Sequence, residues 1–225
     1  MPFGYAIIRK INEKGNTMYD FIADLDAFFC EKYAGYDKLS VLPGYKMPLM
    51  QASEMDDFGR MRTYTLPANT MRLAAQEKKD EILIELKARM VDTTFSFSFA
   101  PQGFFARIKA RFSKYGFYKN LDKVLKKYDF SDADALEALS IDEEIWQGIR
   151  KNKFLPSKNL IFSLALAAHF SFDDTKALLS LCDFEFDYTI VKDVILCYLF
   201  QQKVYNAPMI ESALAEYKVD NLFLK

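Results

Sequence analysis

The chain is poor in the residues from which most metal and nucleophilic sites are built. Of its 225 residues one is histidine, His169, and three are cysteine, Cys30, Cys182 and Cys197. A lone histidine excludes a multi-histidine metal site, and His169 closes an apolar run as a helix-end residue does. The cysteines are odd in number, far apart and each set in an apolar run (AFFCEKY, LSLCDFE, VILCYLF). That usage suits small buried hydrophobes in a reducing compartment rather than a disulfide framework. No uncharged apolar stretch reaches the roughly 18 residues of a membrane helix, and the opening MPFGYAIIRK places its charges after its apolar residues, the reverse of a secretory signal. A cytoplasmic protein with no membrane association is expected. Nucleophile elbows, phosphate-binding loops and dinucleotide fingerprints are all missing. The acid pairs Asp24/Asp26 and Asp173/Asp174 point different ways around a helix and read as solvent-facing or capping residues. No catalytic residue, cofactor or metal is assigned, and the expectation is a protein that is not an enzyme.

What the chain does have is apolar bulk: 51% hydrophobic residues, with 21 Phe and 13 Tyr. A chain of this length buries roughly 70–75% of its unfolded surface, so a large Phe-rich core should hold the fold without disulfide or metal. The pattern is helical almost throughout. Met18, Phe21, Ile22, Leu25, Phe28 and Phe29 recur at helical spacing behind a capping box at Thr17, predicting a helix over 17–33. Asn69 can cap a second helix over 70–91. Between them Pro43, Gly44, Pro48, Gly59 and Pro67 break any helix and leave room at most for a short extended piece at 60–66. This stretch reads as an ordered loop packed over the helices, or as a methionine-rich lining for a partner. FSFSF at 95–99 alternates like a strand, but is short and has no evident partner, so it reads as an extended connector.

Beyond residue 103 short amphipathic helices succeed one another. Phe104, Phe105, Ile108 and Phe112 share one helix face, with Arg107 and Arg111 opposite; Phe117, Leu121, Val124, Leu125 and Tyr128 share the next. Ser131 or Asp132 caps a helix over 132–139, and Asp142-Glu143-Glu144 opens another to Lys151, acids first and bases last as the helix dipole favours. Ser157 caps a helix to His169 and Ser171 one to Cys182, and two more are predicted near 188–203 and 207–217. Trp146 reads as core; exposed, it would mark an interaction hot spot.

Net charge is −1, yet charge is segregated. From Phe104 to Tyr128 there are eight Lys or Arg and one acid; from Asp129 to Glu144 there are seven acids and no base.

The stretch DFSDADALEALSIDEEIWQGIRKNKFLPSKNLIFSLALAAHFSFDDTKALL, within residues 117–181, resembles the Cro/C1-type (XRE-like) helix-turn-helix family in degenerate form. The matching positions are Ser131 opening the second helix, Ala135 on its inner face, Ser140-Ile141 at the turn, Ile145 and Ile149 in the third helix, and Pro156-Ser157 opening a fourth with Leu160, Leu164 and Ala165 inward. The continuation to Lys225 resembles the C-terminal helical extension that accompanies such units in bacterial proteins. Together with the helical pattern read over the rest of the chain, the expectation is an all-α multi-helix bundle with a helix-turn-helix-like C-terminal half and a loop-rich helical N-terminal half. The division expected is 1–102, a helical region, and 103–225, the helix-turn-helix-like domain with core 117–181 and its extension.

In that family the third helix enters the major groove by its N-terminal residues. Here those positions are Asp142, Glu143, Glu144 and Gln147, and carboxylates oppose a duplex that carries one negative charge every ~1.7 Å. Flanking bases could still hold phosphate without reading sequence: Lys119, Lys123, Lys126 and Lys127 on the first helix, and Arg150, Lys151, Lys153 and Lys158 around the third, with Gln147. Two function classes stay open. One is a bacterial regulatory or scaffolding protein that uses the unit to bind a protein partner. The other is a DNA-binding regulator or nonspecific nucleic-acid binder acting through the basic faces of 107–127 and 150–158. The sequence sets no oligomeric state.

Overall fold

Residues Val191–Gln201 (VKDVILCYLFQ) are apolar nearly all the way round, a pattern that demands enclosure on every side rather than along one stripe. The computed structural model describes residues 21–35, 51–55, 61–65, 79–89, 91–92, 96–106, 108 and 116–220, and in it every residue from Val191 to Phe200 is buried. The described helices are α1 (Phe21–Lys32), α2 (Lys79–Arg89), α3 (Phe117–Lys127), α4 (Asp132–Leu139), α5 (Glu143–Arg150), α6 (Lys158–Ala167), α7 (Phe172–Ser180), α8 (Val191–Gln201) and α9 (Ala207–Glu216). The protein is an all-α multi-helix bundle. Helices α1, α7 and α9 pack on α8, while α6 lies against α4 and α7, and α7 against α3. One buried cluster runs from Phe21, Leu25 and Phe29 of α1 through Trp146 and Ile149 of α5 to Phe162 and Phe200. The Thr17 capping box, the Asn69 cap and Phe112 lie outside the described residues.

Helix starts obey local chemistry. Ser131, Ser157, Ser171 and Asn206 each accept a backbone N–H three residues on, and Ser131 and Asp134 form a reciprocal capping box. Helix ends are more distinctive. Asp129, Asn152, His169, Lys203 and Lys218 take left-handed backbone just past α3, α5, α6, α8 and α9. In each case the next residue's N–H reaches back to the carbonyl five positions earlier, as Phe130 to Leu125 and Phe170 to Ala165 do. These are Schellman endings built without glycine.

The short extended piece expected at 60–66 is present as strand β2 (Met61–Thr65), but its antiparallel partner β1 (Gln51–Met55) is not expected from the sequence, its composition carrying little strand preference. The extended connector expected before Pro101 does have a partner. Phe99–Pro101 (β3) pairs antiparallel with Phe154–Pro156 (β4), Phe99 facing Pro156 and Pro101 facing Phe154. Neither proline can donate to the ladder, and the rungs beyond them come from their neighbours: Gln102 N–H to the Lys153 carbonyl at 2.8 Å and Ser157 N–H to the Ser98 carbonyl at 3.0 Å. The stretch after α5 that the resemblance makes a loop is therefore half of a small ribbon.

The acid pair in α1 also differs from a solvent-facing reading. Asp24 accepts from the Tyr198 hydroxyl at 2.6 Å, and Asp26 from the Tyr217 hydroxyl at 2.8 Å. Lys87 of α2 donates to both Asp26 and Glu216, tying α1, α2 and α9. Burial works against its charge, but the two carboxylates prevail and raise its pKa.

Candidate interaction surface

The periodicity of helix α5 decides which of its residues reach solvent. Trp146 and Ile149 are fully buried and Gly148 is enclosed with them. A β-carbon at Gly148 would lie 2.4 Å from the Phe154 ring, so glycine is what allows α5 to sit flush on β4. Asp142, Glu143 and Glu144 are left outward at the N-terminus, and Gln147 is half-buried.

The basic residues fall into two groups. Arg150 is largely enclosed: its Nη2 donates to Asp122 of α3 at 2.9 Å, its Nε lies 3.4 Å from Asp132 of α4, and its guanidinium stacks over the Tyr118 ring. Lys126 pairs with Asp122 at 2.7 Å, one turn back on the same helix. The Lys126 hydrogen bond, then that of Arg150, hold the Asp122 carboxyl below the ordinary range against the opposing effect of burial. Lys127 reaches Asp174 of α7 at 2.7 Å. Lys158 faces inward to the buried carboxylate of Asp193 on α8 and covers the Phe162 ring. Burial pushes the Asp193 carboxyl up, against hydrogen bonds from Lys158 and the Asp187 N–H. The second group, Lys119, Lys123, Lys151 and Lys153, forms no ion pair among the described residues. Of these, Lys123, Lys151 and Lys153 are exposed.

Asp174 anchors α3 to α7. Its Oδ2 accepts from Lys127, from the Tyr128 hydroxyl at 2.6 Å and from the Ser171 hydroxyl at 2.7 Å, while Tyr128 in turn accepts from the Ser171 N–H. Burial raises this carboxyl, but the three donors outweigh it and hold the pKa below the usual carboxylate range. A depressed folded-state pKa means the stabilisation is complete above the unfolded value of ~3.9 and is lost as pH falls through the folded value. Asp174→Asn is expected to cost about 1–3 kcal/mol at pH 7, by loss of charge-assisted hydrogen bonds. The gap between variant and wild type should shrink below about pH 4, as urea midpoints at pH 7 and pH 3 would read. An unchanged gap at both would remove the charged network as its cause.

Sequence periodicity places Phe104, Phe105 and Ile108 on one apolar face; the structure turns that face to solvent, with exposures of 69%, 85% and 42%. Phe104 and Ile108 wall a cleft of about 500 Å³ whose other side is Tyr118, Lys119, Arg150, Lys151 and Asn152. Asn152, left-handed at φ 53, closes α5 and points the chain back into β4, which sets Lys151 on the rim. Three of the sequence-proposed cations, Lys119, Arg150 and Lys151, thus share one concavity. Its aromatic wall carried no motif, only the adjacency of an apolar face to the cationic segment. A smaller hollow of about 240 Å³ lies beside His169, whose ring stacks on Tyr205.

No group of three or more potential metal ligands occurs among the described residues, and all three cysteines are free thiols. Burial pushes the Cys182 thiol up to about 12, which leaves it a poor nucleophile. No described helix is long and apolar enough to cross a membrane. Comparison with family models, with curated proteins and with solved structures returned no match.

Proposed function

We propose that this is a regulatory or scaffolding protein whose helix-turn-helix-like unit serves protein interaction rather than base reading. One observation carries this: α5 commits Trp146, Gly148 and Ile149 to the core and Arg150 to Asp122 and Asp132, while Asp142, Glu143 and Glu144 face outward. A helix so arranged keeps only the half-buried Gln147 for a base edge and repels the phosphates flanking any groove it approaches. The second reading, nonspecific nucleic-acid binding, draws on Lys119, Lys123, Lys151 and Lys153, which keep their charge unpaired among the described residues. Lys158 drops out of it as a partner of Asp193.

Fluorescence anisotropy on the full chain separates the two. With random duplex at ~50 mM salt the expected result is no saturation, or weak binding in the range of about 10⁻⁴–10⁻⁶ M that vanishes by ~200 mM. Such weak binding should strengthen in Glu143→Gln/Glu144→Gln and weaken uniformly across sequences in Lys119→Ala/Lys123→Ala. Sequence-dependent affinity of about 10⁻⁸ M or tighter would overturn the interaction reading.

A further inference from the structure

We infer that the cleft walled by Phe104, Ile108 and Tyr118 and rimmed by Lys119 and Lys151 is a docking site for a short acidic peptide segment bearing a large apolar side chain. This deepens the interaction reading above and rests on it. The size fits: about 500 Å³ lies within the roughly 300–1,000 Å³ of formed ligand sites and admits one or two large side chains.

The lining is apolar and cationic at once. Phe104 of the wall meets the neighbouring Phe105 edge to face, and the two, 69% and 85% exposed, extend an apolar patch of the kind that marks interaction sites. No described carboxylate lines the cleft, and Lys119 and Lys151 carry charge that no described acid neutralises. Arg150 also lines the cleft, with its Nη2 and Nε held by Asp122 and Asp132.

Charge also selects the class of partner. A nucleic-acid strand needs cations along several phosphates, whereas here Lys126 and Lys127 are neutralised by Asp122 and Asp174, and the exposed carboxylates Asp142, Glu143 and Glu144 stand at the start of the same helix that brings Arg150 to the cleft. A short acidic segment requires only the cleft, where one aromatic or aliphatic anchor and one or two carboxylates meet complementary walls.

The test is a random dodecapeptide array probed with the full-length labelled protein, wild type against Lys119→Glu/Lys151→Glu and Phe104→Ser/Phe105→Ser. Far-UV circular dichroism and Tm serve to confirm that both variants fold; the altered side chains lie at the surface, so a damaged fold is not the expected cause of lost binding. Wild type should enrich peptides that combine Asp or Glu with Phe, Trp or Leu, and each variant should lower that signal at least tenfold. Three results overturn the inference: no acidic-apolar enrichment by wild type, enrichment that survives both variants, or binding of labelled oligothymidylate through these residues with no peptide enrichment. A dimer seen by light scattering and abolished by the same variants, again with no peptide enrichment, would assign the cleft to a second copy and equally overturn it. Failure here with no duplex binding leaves the broader interaction reading in place, whereas tight sequence-dependent duplex binding defeats that reading itself.

Discussion

Replacing Lys158 with methionine is expected to destabilise the protein by about 3–5 kcal/mol, because it strands a carboxylate in the core. Asp193 is 2% exposed, on the helix whose residues from Val191 to Phe200 are all enclosed, and Lys158 is the cation that answers it. The Asp187 N–H also donates to Asp193, but one neutral donor does not compensate a buried charge. Thermal melts should show a fall of roughly 6–20 °C for a chain of this length. The double variant Lys158→Met/Asp193→Leu should recover most of the loss, since removing both charges restores an apolar contact in which the methionine still covers Phe162. A single variant within about 1 kcal/mol of wild type would show that Asp193 does not depend on this lysine.

Trp146→Ala is expected to cost a similar amount, about 3–5 kcal/mol, by opening a cavity under α5. Trp146 is fully buried, and its indole N–H has no acceptor among the described residues. Trp146→Phe should therefore cost far less, because it removes an unsatisfied donor together with part of the ring. Trp146 is the only tryptophan, so both variants are followed by circular dichroism rather than by fluorescence. Equal losses for Ala and Phe would mean that the indole N–H finds a partner after all.

These two sites also mark where sequence reasoning reaches and where it stops. Helix starts were legible at Ser131, Ser157 and Ser171 because a cap is a contact over three residues. Trp146 was legible as core from its place on the apolar stripe of α5. The partners of the cations were not: Lys127 meets Asp174 and Lys158 meets Asp193 across gaps of 47 and 35 residues, and charge counting along the chain cannot see them. Strand β3 was missed for the same reason, since its ladder lies beyond α3, α4 and α5. The cleft was hidden differently. An amphipathic repeat identifies an apolar face but not whether the core or the solvent receives it, so the sequence placed Phe104 and Phe105 on one face without saying what that face meets.

The seating of α1 on α8 has a consequence for how the chain is made. Phe21, Leu25 and Phe29 form the inner face of α1, and the helix they need is completed only at Gln201, some 170 residues later. At about 5–20 residues per second, synthesis leaves that face without its native cover for roughly 9–34 s. Through that interval the early helix is a sticky surface on a growing chain, open to holdase chaperones and to neighbouring nascent chains. Mutations that slow α8 lengthen the exposure even when the finished protein is no less stable.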